Sequence, residues 1–482
     1  MKQKLIILSA DAMVTEDLSL LKTLPNYKKY LSGGVECDHI KTIYPTITYP
    51  VHTSVVTGCY PDKHGIYGNL DFTVGLHKQP WAWDHKHVRR PDIFDMAKKA
   101  GCTTAAVFWP VTGNHDHIDW LCDEYWPQGP EDTVHEAFKR MGSSPEVLSI
   151  IDRYEPILTN RVHPGCDEFL IHVAADIVTQ FQPDLLAIHP ANIDAYRHHT
   201  GVFTPQVDAG VIETDRYIGI IMDAVERAGL LGSTNLCLIS DHGQIDVVRN
   251  LCLNVKLVQA GLIRLDEKGE IKDWDAYVLS GGASALVYLK DPADKRVWQK
   301  TKDLLDGLCA EGVYGISHVY TEEESRREER LGGNFSFVLE TDGYTSFADS
   351  WLPPLVRSFD TSDYRTGHAT HGYLPDKGPQ PVFLAKGPAQ GRIPDRCPSN
   401  RRRGSHLRQG AGIRDARRYR RKGNGRIAPV GGNHAYGSFW RKRPSGGAPD
   451  DGNCLHADEL LVRGRKPAAA PVGDAAAKPF LV

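Results

Sequence analysis

The sequence LIILSA at residues 5–10 is a short, almost continuous apolar run that ends immediately before Asp11. Runs of this length and composition are typical of strands buried on both faces of a parallel sheet. Four similar runs follow, separated by helix-like segments, at residues 104–109, 185–189, 236–240 and 381–385. Strands and helices in alternation predict an α/β fold with a central, mostly parallel sheet between helices.

Two helices can be located from the spacing of their apolar residues. The first opens at residues 91–92 with a Pro-Asp pair and ends at Gly101, a residue type common just beyond a helix C-terminus. The second has apolar residues on one face over positions 218–225 and ends near Gly229. Both lie between predicted strands, as the α/β arrangement requires.

Two regions depart from this alternation. Residues 255–350 contain short strand-like runs around Gly281 and Gly282, then a polar helix-like segment and a highly charged stretch. This pattern predicts a smaller α+β lobe, inserted into a main domain that extends from residue 1 to residue 388. Residues 110–180 fit neither pattern, and we expect them to form a cap over the site.

Composition excludes several classes of protein. At 482 residues, 41% of them apolar and 24% charged, the chain has the composition of a globular protein. No apolar run reaches the ~20 residues of a membrane-spanning helix, and the N-terminal run is too short for a secretory signal. The ten cysteines are scattered without a CxxC pair, so we expect reduced thiols, no cysteine-based metal site and a cytoplasmic location.

Charge divides the chain at residue 388. Residues 389–482 hold 20 Lys and Arg against 7 Asp and Glu, a charge of +13, whereas the first 388 residues carry −16. The alternation of strands and helices also stops here, and arginines cluster among glycines. Three interpretations stay open: a disordered basic tail, an arm that binds nucleic acid through its phosphates, or a segment translated out of frame.

Carboxylates and histidines follow the predicted strands one after another. In open α/β sheets the ligand crevice lies at the carboxyl ends of the strands, and Asp and His are ligands of zinc and similar ions. The residues at these positions are Asp11, Asp194, His198, Asp241, His242 and His371. Each alone has an ordinary alternative, such as a helix cap, a shared helix face or a turn. Together they predict a metal site.

A candidate nucleophile lies in the stretch YPTITYPVH at residues 44–52. Pro50 suits the first turn of a helix that we predict over residues 51–57, ending at Gly58. Thr48 then lies just ahead of the helix, where unsatisfied N–H groups and the helix dipole favour an anionic phosphorus centre. The alternative is that Thr48 is an ordinary helix cap.

Longer motifs accompany these residues in a fixed order. They are ILSAD at 7–11, YPTITYPVH at 44–52, VTGCYPDKHGIYGN at 56–69, DAYRHHTG at 194–201, SDHG at 240–243 and THGY at 370–373. In order and spacing they resemble the nucleotide pyrophosphatase/phosphodiesterase (type I phosphodiesterase) family of the alkaline phosphatase superfamily. The resemblance extends over residues 5–388 and implies that this part is a catalytic domain with the alkaline phosphatase-like fold.

The resemblance also implies a site with two divalent metal ions, expected to be Zn²⁺. The ligands of one ion correspond to Asp194, His198 and His371. The ligands of the other correspond to Asp11, Asp241 and His242. Thr48 corresponds to the nucleophile beside the second ion, and Asn69 to an amide that binds phosphate.

The implied activity is hydrolysis of phosphodiester or pyrophosphate bonds in small nucleotide-like substrates, through a phosphothreonine intermediate. A diester fits better than a monoester, which carries one more negative charge, because the nucleophile segment has no arginine and Asn69 is neutral. A phosphomonoesterase or phosphonate hydrolase of the superfamily is the nearest alternative. Nucleic-acid binding through the basic tail is the alternative from another class. Neither nucleic acid nor a membrane is the expected partner, and the sequence does not determine the oligomeric state.

Several positions depart from the family pattern. Arg197 stands where family members have glycine, and Ile193 where proline is common. His199 competes with His198 as a ligand, although the four-residue spacing from Asp194 favours His198. Family members continue with helix after the strand at 381–385, where this chain has its basic segment. Aromatic side chains that could contact a nucleobase are Tyr49, Trp81, Trp83, Trp109, Tyr125 and Trp126.

Overall fold

A computed structural model of the protein describes residues 2–37, 40–76, 79–158 and 162–388. The segment interpreted above as a basic tail, a nucleic-acid arm or an out-of-frame product lies outside the described residues. Every structural statement below concerns the described part of the chain.

A seven-stranded sheet forms the centre of the fold. Its strands, in spatial order, are Val35–Cys37, Phe383–Lys386, Thr234–Ile239, Lys4–Ser9, Leu185–Ile188, Thr104–Val107 and Trp120–Cys122. The five predicted apolar runs are all among them. The first strand of the chain lies in the middle and pairs in parallel with both of its neighbours. The predicted α/β class with a mostly parallel sheet is confirmed.

One strand runs against the others. Phe383–Lys386 is antiparallel to Thr234–Ile239 on one side and to Val35–Cys37 on the other. Because of this reversal, the chain enters Phe383–Lys386 at the edge where the parallel strands end. His371, which precedes this strand, therefore reaches the same edge as Asp11 and Asp241.

Helices cover both faces of the sheet because side chains alternate along its strands. Ile6 and Leu8 point into the larger core, with the helices Pro145–Tyr154, Gly165–Phe181 and Pro205–Arg227. Ile7 points to the other face, where the helices Thr48–Thr57 and Ile93–Lys99 pack. The predicted layered arrangement follows directly from this alternation.

The helix predicted from residue 91 begins at Ile93 and ends at Lys99. The Asp92 side chain caps it by accepting the N–H groups of Phe94 and Asp95 at 2.8 and 3.1 Å. Gly101 follows with φ of 71°, the left-handed conformation that favours glycine.

The remaining helices are shorter on average. They are Leu18–Leu21, Pro25–Tyr30, Pro61–His64, Val134–Arg140, Asn192–Thr200, Asn254–Gln259, Lys295–Glu311 and Glu322–Glu329. Single 3₁₀ turns occur at Thr15–Asp17, His85–His87, Glu155–Ile157, Leu231–Ser233 and Tyr364–Thr366. Among the helices of the described residues, none is both long and apolar enough to span a bilayer.

A second, antiparallel sheet lies within the region predicted to be an inserted lobe. Its strands, in spatial order, are Ala276–Ser280, Ser284–Leu289, Phe337–Thr341 and Ile316–Thr321. It has a core of its own, to which Leu305 and Leu308 of the helix Lys295–Glu311 contribute. The boundaries 255–350 and 1–388 stay predictions.

Smaller strand pairs complete the fold. Ile263–Leu265 pairs with Ile271–Trp274, and Arg249–Leu251 lies between Thr345–Phe347 and Val356–Arg357. Ile245–Asp246 pairs with Ala369–Thr370, immediately before His371.

Residues 110–180 differ from the expected cap. They provide the edge strand Trp120–Cys122 and the helices Val134–Arg140, Pro145–Tyr154 and Gly165–Phe181. These helices pack on the main sheet because their apolar side chains, such as Val147 and Ile151, face its core. The region completes the sheet and one helix layer.

His64 provides a test of the fold through pH. The N–H of Ile66 donates to His64 Nδ1 at 3.2 Å, so the proton of the neutral ring lies on Nε2, 2.9 Å from Ser54 Oγ. Burial lowers the pKa of His64 to about 3, below its ordinary value of 6.5. Between these values only the unfolded chain takes up the proton. His64 therefore costs the fold no stability above pH 6.5 and progressively more below it.

We expect the free energy of unfolding of His64→Gln to fall less steeply than that of the wild type between pH 6.5 and 5. The slopes should differ by up to about 1.4 kcal/mol per pH unit, the value for one proton. Urea unfolding at several pH values measures both slopes. His318→Gln, at an exposed position, is the control and should keep the wild-type slope. Equal slopes for His64→Gln and the wild type would contradict the buried neutral state of His64.

Candidate active site

The structure brings all six predicted metal ligands to one edge of the central sheet. Asp11 follows the strand Lys4–Ser9, and Asp241 and His242 follow Thr234–Ile239. Asp194 and His198 lie on the helix Asn192–Thr200, which comes after Leu185–Ile188. These three strands are adjacent and parallel, so their carboxyl ends meet.

Each of the three carboxylates is held by one oxygen and presents the other. Asp11 Oδ2 contacts His189 Nε2 at 3.0 Å, while its Oδ1 has no hydrogen-bond partner in the described residues. Asp241 Oδ1 accepts the Ala12 N–H at 3.2 Å, and its Oδ2 has no such partner. Asp194 Oδ1 accepts from Gln244 Nε2 at 2.5 Å, and its Oδ2 faces His198 Nε2 at 3.1 Å.

His198 shows a similar division of its ring nitrogens. Its Nδ1 lies 2.8 Å from the Ala369 carbonyl oxygen, which leaves Nε2 to face Asp194. A backbone bond on one ring nitrogen, with the other nitrogen directed at the ligand group, is the usual arrangement of a metal-binding histidine. His242 directs its Nε2 at two carboxylates, 3.1 Å from Asp241 Oδ2 and 3.7 Å from Asp11 Oδ1.

Two ligand groups result from this arrangement. The nitrogen and oxygen atoms of Asp194, His198 and His371 lie within 4.8 Å of one another, and so do those of Asp11, Asp194 and His242. Asp241 is outside the second group by this distance, although its Oδ2 contacts His242 Nε2. Asp194 thus adjoins both groups, whereas the family resemblance placed it in one.

The buried charges of the site favour the binding of cations. Burial, and then the charges of Asp241 and Asp194, raise the pKa of Asp11 well above its ordinary value. Burial lowers the pKa of His242 to about 4, so its imidazole is neutral at pH 7. Neutral imidazoles and crowded carboxylates with free oxygens are the donor set of a divalent metal site, and the residues present fit two such ions.

Thr48 lies at the edge of this cluster. It is the first residue of the helix Thr48–Thr57, which begins three residues earlier than predicted, and the N-cap position is occupied by Ile47. Thr48 Oγ1 instead lies 3.3 Å from His242 Nε2. The hydroxyl is therefore at a helix N-terminus and directly beside the second ligand group, as a nucleophile requires.

Asn69 is fixed next to the same helix. Its Oδ1 accepts the Tyr49 N–H at 3.0 Å, which leaves the Nδ2 group to donate elsewhere. Asn69 lines a cleft together with Tyr67, Gly68, Gly281, Tyr364 and neighbouring residues of the smaller sheet.

The aromatic candidates for a nucleobase contact divide into two groups. Trp109 and Trp126 are buried in the cores on the two faces of the main sheet. Trp81 is half-buried, and its ring lies 5.3 Å from that of Tyr49 and 5.6 Å from that of Tyr364. Trp83 contacts Tyr125 at 4.6 Å. Of the candidates, Trp81 thus contacts Tyr364, which lines the cleft with Asn69.

The departures from the family pattern do not disturb the ligands. Arg197 is fully buried, and its guanidinium bonds to the Ala12 carbonyl and Asp17 rather than to any of the three candidate ligand carboxylates. Ile193 is part of the main core. His198, rather than His199, belongs to the ligand group.

Three further residues at the site were not predicted from the sequence. His189 and Gln244 hold Asp11 and Asp194, respectively. His52 bridges the Thr48 carbonyl oxygen and Ser9 Oγ at 2.8 and 2.9 Å, and lies 3.6 Å from Asp241 Oδ2. His189 ends a predicted strand and His52 ends a quoted motif, so position alone could have marked both as candidates.

Two other groups of potential ligands occur in the described residues, away from this edge. In one, His115 Nδ1 accepts the His117 N–H while Nε2 contacts Asp92, so both ring nitrogens are in use. In the other, His163 Nδ1 and Asp167 Oδ2 bond to each other at 2.6 Å beside Cys166. In both groups a histidine and a carboxylate already bond to each other.

Replacing Asp11 with Asn should raise the melting temperature of the metal-free protein but reduce the stabilisation that added metal provides. It removes one of three repelling carboxylates, so metal-free D11N should melt above the metal-free wild type, by roughly 2–4 °C per kcal/mol of repulsion relieved. Added Zn²⁺ should raise the Tm of the wild type much more than that of D11N. Calorimetry with EDTA and with Zn²⁺ measures both effects.

The exposed Asp303 on the helix Lys295–Glu311 provides a control for this comparison. Asp303→Asn should change neither the metal-free Tm nor the response to Zn²⁺. A metal-free D11N protein that melts below the wild type would show that Asp11 is not under repulsion.

Comparison with known proteins agrees with the fold and the motifs. The profile of the family described as type I phosphodiesterase / nucleotide pyrophosphatase matches residues 5–374. Murine ectonucleotide pyrophosphatase / phosphodiesterase 5 has a similar structure, with a TM-score of 0.52 and 21% identity, over 80% of this chain and 89% of that one. This likeness supports the fold.

Curated relatives match with low identity. Bovine (Bos taurus) ectonucleotide pyrophosphatase/phosphodiesterase family member 3 is 26% identical over 252 residues, 49% of this chain and 24% of the relative. Human family member 5 is 23% identical over 401 residues, 80% of this chain and 70% of the relative. The chain spans about a quarter of the length of the bovine relative and of a venom phosphodiesterase from Naja atra. Since the family profile covers most of the chain, the protein belongs to the type I phosphodiesterase / nucleotide pyrophosphatase family.

Proposed function

We propose that the protein is a metal-dependent hydrolase that cleaves phosphodiester or pyrophosphate bonds of nucleotide-like substrates. Family membership supports this class of reaction. A structural neighbour, an inactive variant of murine ectonucleotide pyrophosphatase / phosphodiesterase 5, is in complex with AMP, which supports a nucleotide-like substrate. The observation that carries the proposal is the position of Thr48 Oγ1, at a helix N-terminus and 3.3 Å from a ligand nitrogen.

Two divalent ions, expected to be Zn²⁺, would be held by the two ligand sets inferred from the sequence. When bound, they supply positive charge that lowers the pKa of a hydroxyl or water and offsets charge on the phosphoryl oxygens. Asp194, His198 and His371 are assigned to one ion. Asp11, Asp241 and His242, with Thr48 beside them, are assigned to the other.

Thr48 acts as the nucleophile in this proposal. Its Oγ1 forms a bond to phosphorus as the bond from phosphorus to the leaving oxygen breaks. The hydroxyl proton passes to solvent and the leaving group takes up a proton as it departs. Water then attacks the phosphothreonine, breaks the bond between phosphorus and Oγ1 and restores the hydroxyl.

Asn69 and the helix N-terminus stabilise the negative charge on the phosphoryl oxygens in the transition state. The Tyr49 N–H holds Asn69 Oδ1, so the Nδ2 donor is fixed before substrate binds. In the first turn of Thr48–Thr57 the Tyr49 N–H is bonded to Asn69 and Pro50 has no N–H, which leaves the Thr48 N–H as the backbone donor for a phosphoryl oxygen. Loss of one such donor typically costs about 3–4 kcal/mol of transition-state stabilisation.

The charge of the cleft favours a diester over a monoester. None of the described residues that line it is Lys or Arg. The two buried arginines nearby are already paired: Arg197 with Asp17, and Arg365 with Asp349 and Asp363. An extra negative charge on a monoester would find no Lys or Arg among the described residues that line this cleft. The cytoplasmic location expected from the sequence stays a prediction.

The full chain should hydrolyse a chromogenic nucleoside phosphodiester with a kcat/KM at least tenfold higher than that for the matching monoester. EDTA should abolish both activities and Zn²⁺ should restore them. A preference for the monoester would favour the phosphomonoesterase alternative. Zinc-loaded, folded protein that cleaves neither ester would contradict the proposed function.

Replacing Thr48 with Ala should lower kcat by at least ~10³-fold, because no other described group takes the place of the hydroxyl. Thr48→Ser keeps a hydroxyl and should retain measurable turnover. Thr53 is on the same helix and donates to the Tyr49 carbonyl, so Thr53→Val is the matched control and should change kcat only a few-fold. Turnover of T48A comparable to the wild type, with equal metal content, would exclude Thr48 as the nucleophile.

A further inference from the structure

Arg197 is an unusual residue for its position, because its guanidinium is fully buried. It lies on the helix Asn192–Thr200, between the ligand pair Asp194 and His198. Nε donates to the Ala12 carbonyl oxygen at 3.2 Å and Nη2 to Asp17 Oδ2 at 2.6 Å. Nη1 donates to the Val202 carbonyl oxygen. One side chain therefore connects the ligand helix to the loop that follows the first strand.

The loop held by Arg197 carries a ligand of the other metal. Ala12 directly follows Asp11 and has φ of 56°, a conformation that is costly for a residue other than glycine. In this conformation the Ala12 N–H reaches Asp241 Oδ1 at 3.2 Å, and the Asp11 N–H reaches the Pro190 carbonyl at 3.0 Å. The bond from Arg197 to the Ala12 carbonyl thus holds the residue that directly follows Asp11 and whose N–H bonds to Asp241.

Asp17 fixes the far end of the same loop. Its Oδ2 accepts both from Arg197 and from the Val14 N–H, which lies 2.8 Å away. Both side chains of the ion pair are almost wholly excluded from water. A buried ion pair contributes little net stability compared with apolar side chains of the same volume, so stability alone does not explain this arrangement.

We infer that Arg197 is a positioning residue, which locks the loop of Asp11 to the helix of Asp194 and His198 and so sets the affinity of the second metal ion. This inference rests on the proposed two-metal function. The planar fork of arginine reaches three acceptors from different segments at once, which the single ammonium of lysine cannot do. Arg197, in place of the family's usual glycine, therefore adds hydrogen bonds that connect the two ligand sets.

The test is a zinc titration of the full chain against a competing chelator, with metal content measured independently of activity. In Arg197→Met and in Arg197→Lys, the first equivalent of Zn²⁺ should bind within about twofold of the wild type. The second should bind at least tenfold more weakly, the range typical for loss of a residue that orients metal ligands. The milder Lys variant keeps the test valid if the Met variant folds poorly.

A double-mutant cycle with D11N identifies which of the two zinc sites binds more weakly in the Arg197 variants. Because Arg197 acts through the loop of Asp11, the double variant R197M/D11N should lose little more affinity than D11N alone. Asp215→Asn is the structural control: Asp215 is buried and anchors the helix Pro25–Tyr30 through the Asn26 and Tyr27 N–H groups, remote from the ligands. It should lower the Tm while both zinc equivalents bind as in the wild type.

Three results would overturn the inference: wild-type affinity for both equivalents in R197M, equal weakening of both, or additive losses in the double variant. A wild-type chain that binds fewer than two ions would overturn it together with the two-metal proposal. A wild-type chain that binds two ions but cleaves no diester would overturn the proposed function alone, because the zinc titration still tests Arg197.

Discussion

Asp11, Asp194 and Asp241 reach the same small volume from the ends of three adjacent strands, and burial makes their mutual repulsion strong. The strand order imposes this proximity, because Lys4–Ser9 lies between Leu185–Ile188 and Thr234–Ile239. A fold under selection for stability alone would not place three carboxylates there. Two bound cations, as proposed above, would offset this repulsion and so explain the arrangement.

Neighbouring groups limit the repulsion without neutralising it. Each carboxylate gives one oxygen to a protein donor, which fixes its rotamer, and leaves the other oxygen directed inward. The donors come from His189, the Ala12 N–H and Gln244. Since the free oxygens cannot turn away, the pocket is preorganised for cations rather than adaptable.

The sequence predicts the fold well where a single local pattern determines it. The five apolar runs are strands because both faces of the central sheet are covered, and the caps at Asp92 and Gly101 follow from local backbone chemistry. The direction of Phe383–Lys386 was not predictable, because an apolar run contains no information about which way its strand runs. Residues 110–180 were mistaken for a cap because the edge strand Trp120–Cys122 is only three residues long.

The same limit explains the site. The candidate ligands could be located because aspartate and histidine at strand ends form a pattern. Gln244 and His189 could not be assigned a role, because they act through hydrogen bonds to residues far away in the sequence. In the sequence, Arg197 is only a departure from the family pattern. Its role could not be predicted, because its three acceptors lie in segments that become neighbours only in the folded chain.

The smaller sheet helps to hold residues of the candidate site in place. Its first hairpin turns at Gly282, where φ is 86° and a Cβ atom would lie only 2.7 Å from the His371 carbonyl oxygen. The Ala283 N–H donates to that carbonyl at 2.8 Å, and the next residue, Gly372, donates to the Thr46 carbonyl at 2.9 Å. His371, one of the proposed ligands, is thus held between the hairpin and the segment that leads into Thr48. Changes in the smaller sheet would therefore reach this proposed ligand and the proposed nucleophile through two backbone hydrogen bonds.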